Sequence, residues 1–113
     1  MNPEIKTKWL EALRSGKYKQ GTGRLRGRDD RYCCLGVLCD VIDATSWRAS
    51  NSISELYPWS YRGDSITDSI TDIDDEVLKV AVLRRGQTEY LVRLNDDVGW
   101  NFEQIAKYIE ENL

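Results

Sequence analysis

The sequence predicts an α+β domain: four or five short helices packed around a central buried helix at about 34–44, with a small antiparallel β-hairpin over about 19–33. Three observations predict it. The window Arg31–Ala44 is the most apolar in a polar chain, and Leu35, Leu38, Cys39 and Ile42 recur in it at i, i+3, i+4 and i+7. Cys34, Val37 and Val41 add a second apolar face, so this helix needs neighbours on several sides. Segments before and after it show helical periodicity with caps and stops. The segment 17–32 carries Gly21, Gly23 and Gly27 and does not suit a helix.

The elements follow in order. Asn2-Pro3 opens a helix as N-cap and first helical residue, Ile5, Trp9, Ala12 and Leu13 form its apolar stripe, and Ser15-Gly16 closes it. Gly27-Arg28-Asp29-Asp30 reads as a turn joining strands at about 19–26 and 30–33, which feed the central helix. A two-stranded ribbon is marginal alone, so it must pack on helices. The central helix ends near Ala44-Thr45. Residues 46–72 read as an irregular, aromatic-rich lid over the core, containing the echo Ser65-Ile66-Thr67-Asp68 and Ser69-Ile70-Thr71-Asp72. A third helix is expected over about 74–84, stopped by Gly86. Residues 88–95 suit a short helix better than a strand, followed by a turn at 95–99. The last helix is the clearest: Asn101 and Gln104 form a capping box, and Phe102, Ile105, Ala106, Ile109 and Leu113 follow at helical spacing. Trp100 before it reads as a hydrophobic staple.

At 113 residues the chain forms a single domain, 1–113, burying about two-thirds of its unfolded surface. No apolar run has the length of a membrane span. The first residues, interrupted by Lys6, Lys8 and Glu11, do not form a signal-peptide core. Both points lead to an expected cytoplasmic location and no membrane partner. Three cysteines, clustered in a buried helix, do not read as a disulfide framework. Cys34 and Cys39 read as core. Cys33, nearer the helix entrance, would have a lowered pKa if exposed.

Several chemistries lack their residues. The sequence contains no histidine, which removes His-based triads, Cys–His dyads and His metal ligands. Gly21-Thr22-Gly23 is neither a phosphate-binding loop nor a dinucleotide fingerprint. Cys33-Cys34 with Cys39 does not have zinc-ligand spacing, even with Asp40 as a fourth ligand. The acidic stretch Asp64–Asp75 lacks the order of an EF-hand. No metal, cofactor or catalytic residue is assigned, and a non-enzymatic protein is expected.

Charge distribution points to a site. Residues 1–31 carry nine Lys/Arg against four Asp/Glu, and residues 32–113 carry seven against fifteen. Lys19, Arg24, Arg26, Arg28 and Arg31, with Lys17 beside them, concentrate that excess in the predicted hairpin. Arg24, Arg26 and Arg28 alternate, so an extended chain would place them on one face, and arginine's planar fork suits phosphate or carboxylate. The plainer reading is a solvated edge strand whose charges block aggregation. The acidic remainder argues against nucleic acid. Trp47, Tyr57, Trp59 and Tyr61 in the aromatic lid are the second candidate, as a protein-binding hot spot or base-stacking surface, against plain core packing. The expected partner is a protein or an anionic small molecule. A homodimer formed across the hairpin edge is a further option.

Particular residues also carry a resemblance. They are Asn2-Pro3-Glu4-Ile5-Lys6, Trp9, Ala12-Leu13-Arg14-Ser15-Gly16, Gln20-Gly21, the run Tyr32-Cys33-Cys34-Leu35-Gly36-Val37-Leu38-Cys39-Asp40, and Leu94-Asn95-Asp96 with Phe102, Ile105-Ala106 and Ile109-Glu110. On these, the chain resembles a group of small bacteriophage and prophage proteins of undefined function. The resemblance implies a phage accessory protein in the bacterial cytoplasm that binds and modulates or inhibits a host protein, a defence protein among the options. The alternatives are sequestration of a nucleotide or other anion, and a small enzyme. It implies no catalytic residues.

Overall fold

The computed structural model describes residues 1–49, 59–61 and 75–113. Helix α1 (Pro3–Arg14) starts as expected: the Asn2 side chain accepts the Glu4 and Ile5 amides at 3.0 and 3.2 Å. It ends with Gly16 in the left-handed region, φ +76°. Arg14, in the last turn where a cation suits the helix dipole, pairs with Glu110 at 2.8 Å and Glu103 at 3.4 Å. Helix α2 (Cys34–Asp43) is the predicted central helix. Residues 34–39 are all buried, and α2 packs on α1 and α4 while α1 packs on α5. Trp9 is fully buried, and its indole N–H donates to the Cys34 carbonyl at 2.9 Å, which ties α1 to the start of α2.

The strands correct the expected hairpin. β1 (Lys19–Gln20) and β2 (Arg31–Tyr32) run parallel, Lys19 opposite Arg31 and Gln20 opposite Tyr32. The antiparallel neighbour of β2 is a later, shorter piece, bridged at Arg26–Tyr32. Gly27 N–H donates to the Arg31 carbonyl at 2.8 Å and Cys33 N–H to the Leu25 carbonyl at 3.3 Å. On the other edge, Gly21 N–H donates to the Tyr32 carbonyl at 2.8 Å. Backbone groups of successive residues point to opposite edges of a strand, so β2 lies between 19–21 and 25–27. The chain cannot continue straight from 19 to 26, because Gly23 turns it with φ +77°. The predicted turn at 27–30 does form, as a 3₁₀ turn (Arg28–Asp30) with Asp29 and Asp30 at φ +58° and +53°.

Two other expectations change. Residues 46–72 are not irregular throughout: β3 (Trp47–Ala49) and β4 (Trp59–Tyr61) pair antiparallel, Trp47 opposite Tyr61. Aromatic side chains suit this pairing. Residues 50–58 and 62–74, with the Ser65–Asp72 echo and the acidic positions before Asp75, lie outside the described residues. The helix expected at 74–84 is α3 (Asp75–Ala81), which stops at Val82 rather than at Gly86. Gly86 sits in the first turn of α4 (Arg85–Arg93). α4 settles the ambiguity at 88–95 in favour of helix and runs into a π-helical turn (Leu94–Val98) ended by Gly99 at φ +81°. α5 (Phe102–Asn112) carries the predicted capping box, with Asn101 N–H to Gln104 Oε1 at 3.0 Å and Gln104 N–H to Asn101 Oδ1 at 2.9 Å. Trp100 meets Tyr108, edge to face at 6.5 Å between centroids.

The core joins Trp9 and Leu13, the 34–39 segment, Val77 and Ala81, Leu91, and Ile105, Ala106 and Ile109. Gly36 lets the backbone at Leu25 lie against α2: a Cβ on residue 36 would stand 1.7 Å from the Leu25 carbonyl oxygen. No described helix is long and apolar enough to cross a membrane.

Candidate functional site

The basic segment is mounted on a buried amide. Asn95, 1% exposed at the start of the π-turn, accepts from the Gln20 side chain at 2.9 Å and from the Cys34 amide at 3.3 Å through its Oδ1. Its Nδ2 donates to the Gly21 carbonyl at 2.9 Å and to Asp96 at 2.7 Å. Gln20 also donates to the Trp100 carbonyl at 2.8 Å, and Asp96 accepts the Gly23 amide at 3.1 Å. Every polar atom of the Asn95 side chain is used, as a buried amide requires. The network fixes β1 and the glycine turn to α2 and to the turn before α5.

On this base the predicted basic residues separate into two groups. Arg26 is withdrawn from solvent. Its guanidinium bonds Asp30 Oδ1 at 3.0 and 2.7 Å. It also lies 5.4 Å from the centroid of the Tyr32 ring and 5.6 Å from that of Trp47. Arg24 is half-buried and turns back on the Gly23 carbonyl at 2.6 Å. The extended run expected over Arg24–Arg28 does not form: the backbone bends through 22–25, bridges at Arg26 and enters the 3₁₀ turn at Arg28; the Arg28 side chain lies outside the described residues. Lys19 and Arg31 remain exposed and stand opposite each other on β1 and β2. Arg31 reaches the Gln20 carbonyl at 3.4 Å. Lys17 and Lys19 border an open hollow of about 350 Å³ with Tyr18, Tyr32, Asp29 and Asp30.

The aromatic candidates divide similarly. Trp47 is half-buried: its indole N–H donates to Asp40 Oδ1 at 2.9 Å, and its ring meets Tyr32 edge to face at 5.9 Å. The Tyr18 hydroxyl donates to the other Asp40 oxygen at 2.5 Å, and its ring meets Tyr32 at 5.1 Å. Burial first, and then the Asp40 carboxylate, push the Tyr18 hydroxyl well above the ordinary phenol range. Trp47 is therefore tied into the frame of the site. Trp59 and Tyr61 lie on β4, paired with the Trp47 strand; their side chains are outside the described residues.

The cysteines are frame as well. Cys33 caps α2, its Sγ accepting the Gly36 amide at 3.3 Å. Cys33, Cys34 and Cys39 are free thiols, all buried. Burial pushes Cys33 up to about 12 and Cys34 well upward. The lowered pKa expected for an exposed Cys33 is thus reversed, because desolvation outweighs the helix-end amides. Among the described residues, no group of three or more Cys, Asp or Glu is placed to hold a metal ion.

A family model for a domain of unknown function, DUF8296, matches residues 1–113. The chain belongs to the DUF8296 family. No curated protein and no solved structure matches it. In this DUF8296 domain, Gln20, Tyr18, Tyr32, Asp40 and Asn95 organise the site, and charge counting did not find them. One signal was present for Asp40: a carboxylate within an apolar helix needs donors nearby. Gln20-Gly21 and Asn95-Asp96 give no such signal, since their partnership spans most of the DUF8296 chain.

Proposed function

We propose that this domain is a non-enzymatic binding module that presents Lys17, Lys19 and Arg31 to an acidic surface of a partner protein. The observation that carries this reading is the register of β1 and β2, which sets two exposed cations, Lys19 and Arg31, directly opposite each other. Like charges at opposed positions destabilise a strand pair, and an anionic partner relieves that cost. Asn95 and Arg26 are committed to the frame beneath them, so the strands that carry the cations are ordered before binding. Burial of all three thiols supports binding over catalysis. The resemblance to bacteriophage and prophage proteins favours a bacterial host protein as the partner, met in the host cytoplasm, with modulation or inhibition as the outcome.

Affinity purification from bacterial lysate with stepwise salt elution tests this. A partner held by Lys19 and Arg31 elutes with rising ionic strength; a partner retained unchanged at about 1 M salt contradicts the reading.

A second reading rests on the hollow beside Lys17 and Lys19, whose volume of about 350 Å³ suits a small anion such as a nucleotide. Asp29 and Asp30 on its wall oppose an anion, which places this reading second. A rise in melting temperature with a nucleotide panel would favour it.

A further inference from the structure

The elbow between α3 and α4 carries an unusual residue. Two backbone bonds close the end of α3, Val82 N–H to the Lys79 carbonyl at 3.2 Å and Leu83 N–H to the Leu78 carbonyl at 2.9 Å. This pair of bonds places the residue after the helix in the left-handed region, where glycine is the usual occupant. Here it is Val82, at φ +56°. A β-branched side chain in that conformation is strained. Val82 is also 62% exposed, so burial does not offset the strain. It borders an open hollow of about 500 Å³ lined by Met1, Leu78 and Leu83, with Gln87. The charged residues lining the hollow are Lys79 and Arg84, both cationic and both exposed.

We propose that this elbow docks an acidic amphipathic segment of a partner protein. Its apolar side chains enter the hollow against Val82, and its carboxylates meet Lys79 and Arg84. The choice of occupant rests on charge complementarity: an apolar lining flanked by the cations Lys79 and Arg84 fits an amphipathic segment with acidic groups around an apolar stripe. This surface shares no lining residue with the Lys19–Arg31 face, so the two are separable. A valine here costs backbone energy and exposes apolar area, and contact with a partner gives the side chain a role that folding does not.

The test titrates the isotopically labelled full chain with a synthetic acidic peptide, helical, with leucines four residues apart and glutamates around them. A matched peptide carries lysine in place of glutamate. The acidic peptide should shift the amide signals of residues 78–87, and the lysine peptide should not. Val82→Gly should weaken acidic-peptide binding about tenfold while raising the melting temperature by about 4 °C, so loss of binding is not loss of fold. Lys79→Glu with Arg84→Glu should abolish it, and Lys19→Glu with Arg31→Glu should leave it intact. Unmoved signals at 78–87, equal binding by Val82→Gly, or self-association of the chain through this elbow would each overturn the proposal.

Discussion

Asn95 and Gln20 are 75 residues apart in the chain and joined by a 2.9 Å hydrogen bond between their side chains. That bond and its neighbours hold the basic face to the helical core. Asn95→Ala would leave the buried Cys34 N–H without its acceptor and the half-buried Gly21 carbonyl without its donor, and would leave the Gln20 amide with only the Trp100 carbonyl. Leaving such groups unsatisfied costs about 1–3 kcal/mol each before relaxation, so a net loss of about 3 kcal/mol is expected in urea unfolding. A loss under about 1 kcal/mol would mean that water replaces the amide and that the network is not the anchor described.

Gly36→Ala sets a methyl group 1.7 Å from the Leu25 carbonyl oxygen and 2.6 Å from its carbon. Both are backbone atoms and cannot rotate away. The Leu25 backbone must leave α2, giving up the Cys33–Leu25 hydrogen bond, at a cost of about 3 kcal/mol. Denaturant midpoints check this directly.

Arg26→Ala should weaken the fold rather than only the binding face. It removes two bonds to Asp30 and the contacts with Tyr32 and Trp47. About 1–2 kcal/mol is expected, with a change in Trp fluorescence as Trp47 loses its cation. An unchanged unfolding midpoint would return Arg26 to the list of free binding residues.

Alkaline pH should destabilise the domain. Burial holds Cys33 up at about 12 and raises Cys34 well above the ordinary 9.0; Tyr18 is raised from 10.0. Above pH 9 the unfolded chain loses protons that the folded chain keeps. Stability from these groups is therefore complete below their unfolded values and lost as pH rises towards the folded ones. Each buried thiol contributes a slope of up to about 1.4 kcal/mol per pH unit in that window. Melting temperatures from pH 7 to 11 test the slope, and Cys33→Ser should reduce it. A thiol reagent at pH 8 should label none of the three cysteines until denaturant is added.

The helices were legible because their signals are local. Asn2, Asn101 and Gln104 cap where the sequence says they should, and the apolar window 34–43 is the central helix. The end of α3 was not legible, since nothing local marks Val82 as a left-handed residue in place of Gly86. The parallel pairing of β1 and β2 was hidden for a different reason. It goes with Asn95 holding Gly21, a long-range bond between residues that each look like turn formers. In the basic segment, charge counting did not show how the cations divide. Arg26 and Trp47 became frame because Tyr32, Asp30 and Asp40 fold onto them, and Lys19 and Arg31 remained as the exposed pair.

The most direct test of the binding account compares what co-purifies from bacterial lysate with the wild-type chain and with Lys19→Glu plus Arg31→Glu, by quantitative mass spectrometry. Both positions are exposed, so the double variant should keep the wild-type melting temperature. One protein should be enriched with the wild type and depleted at least about tenfold, or about 1.4 kcal/mol, with the variant. The same protein recovered equally with both chains would contradict binding through Lys19 and Arg31.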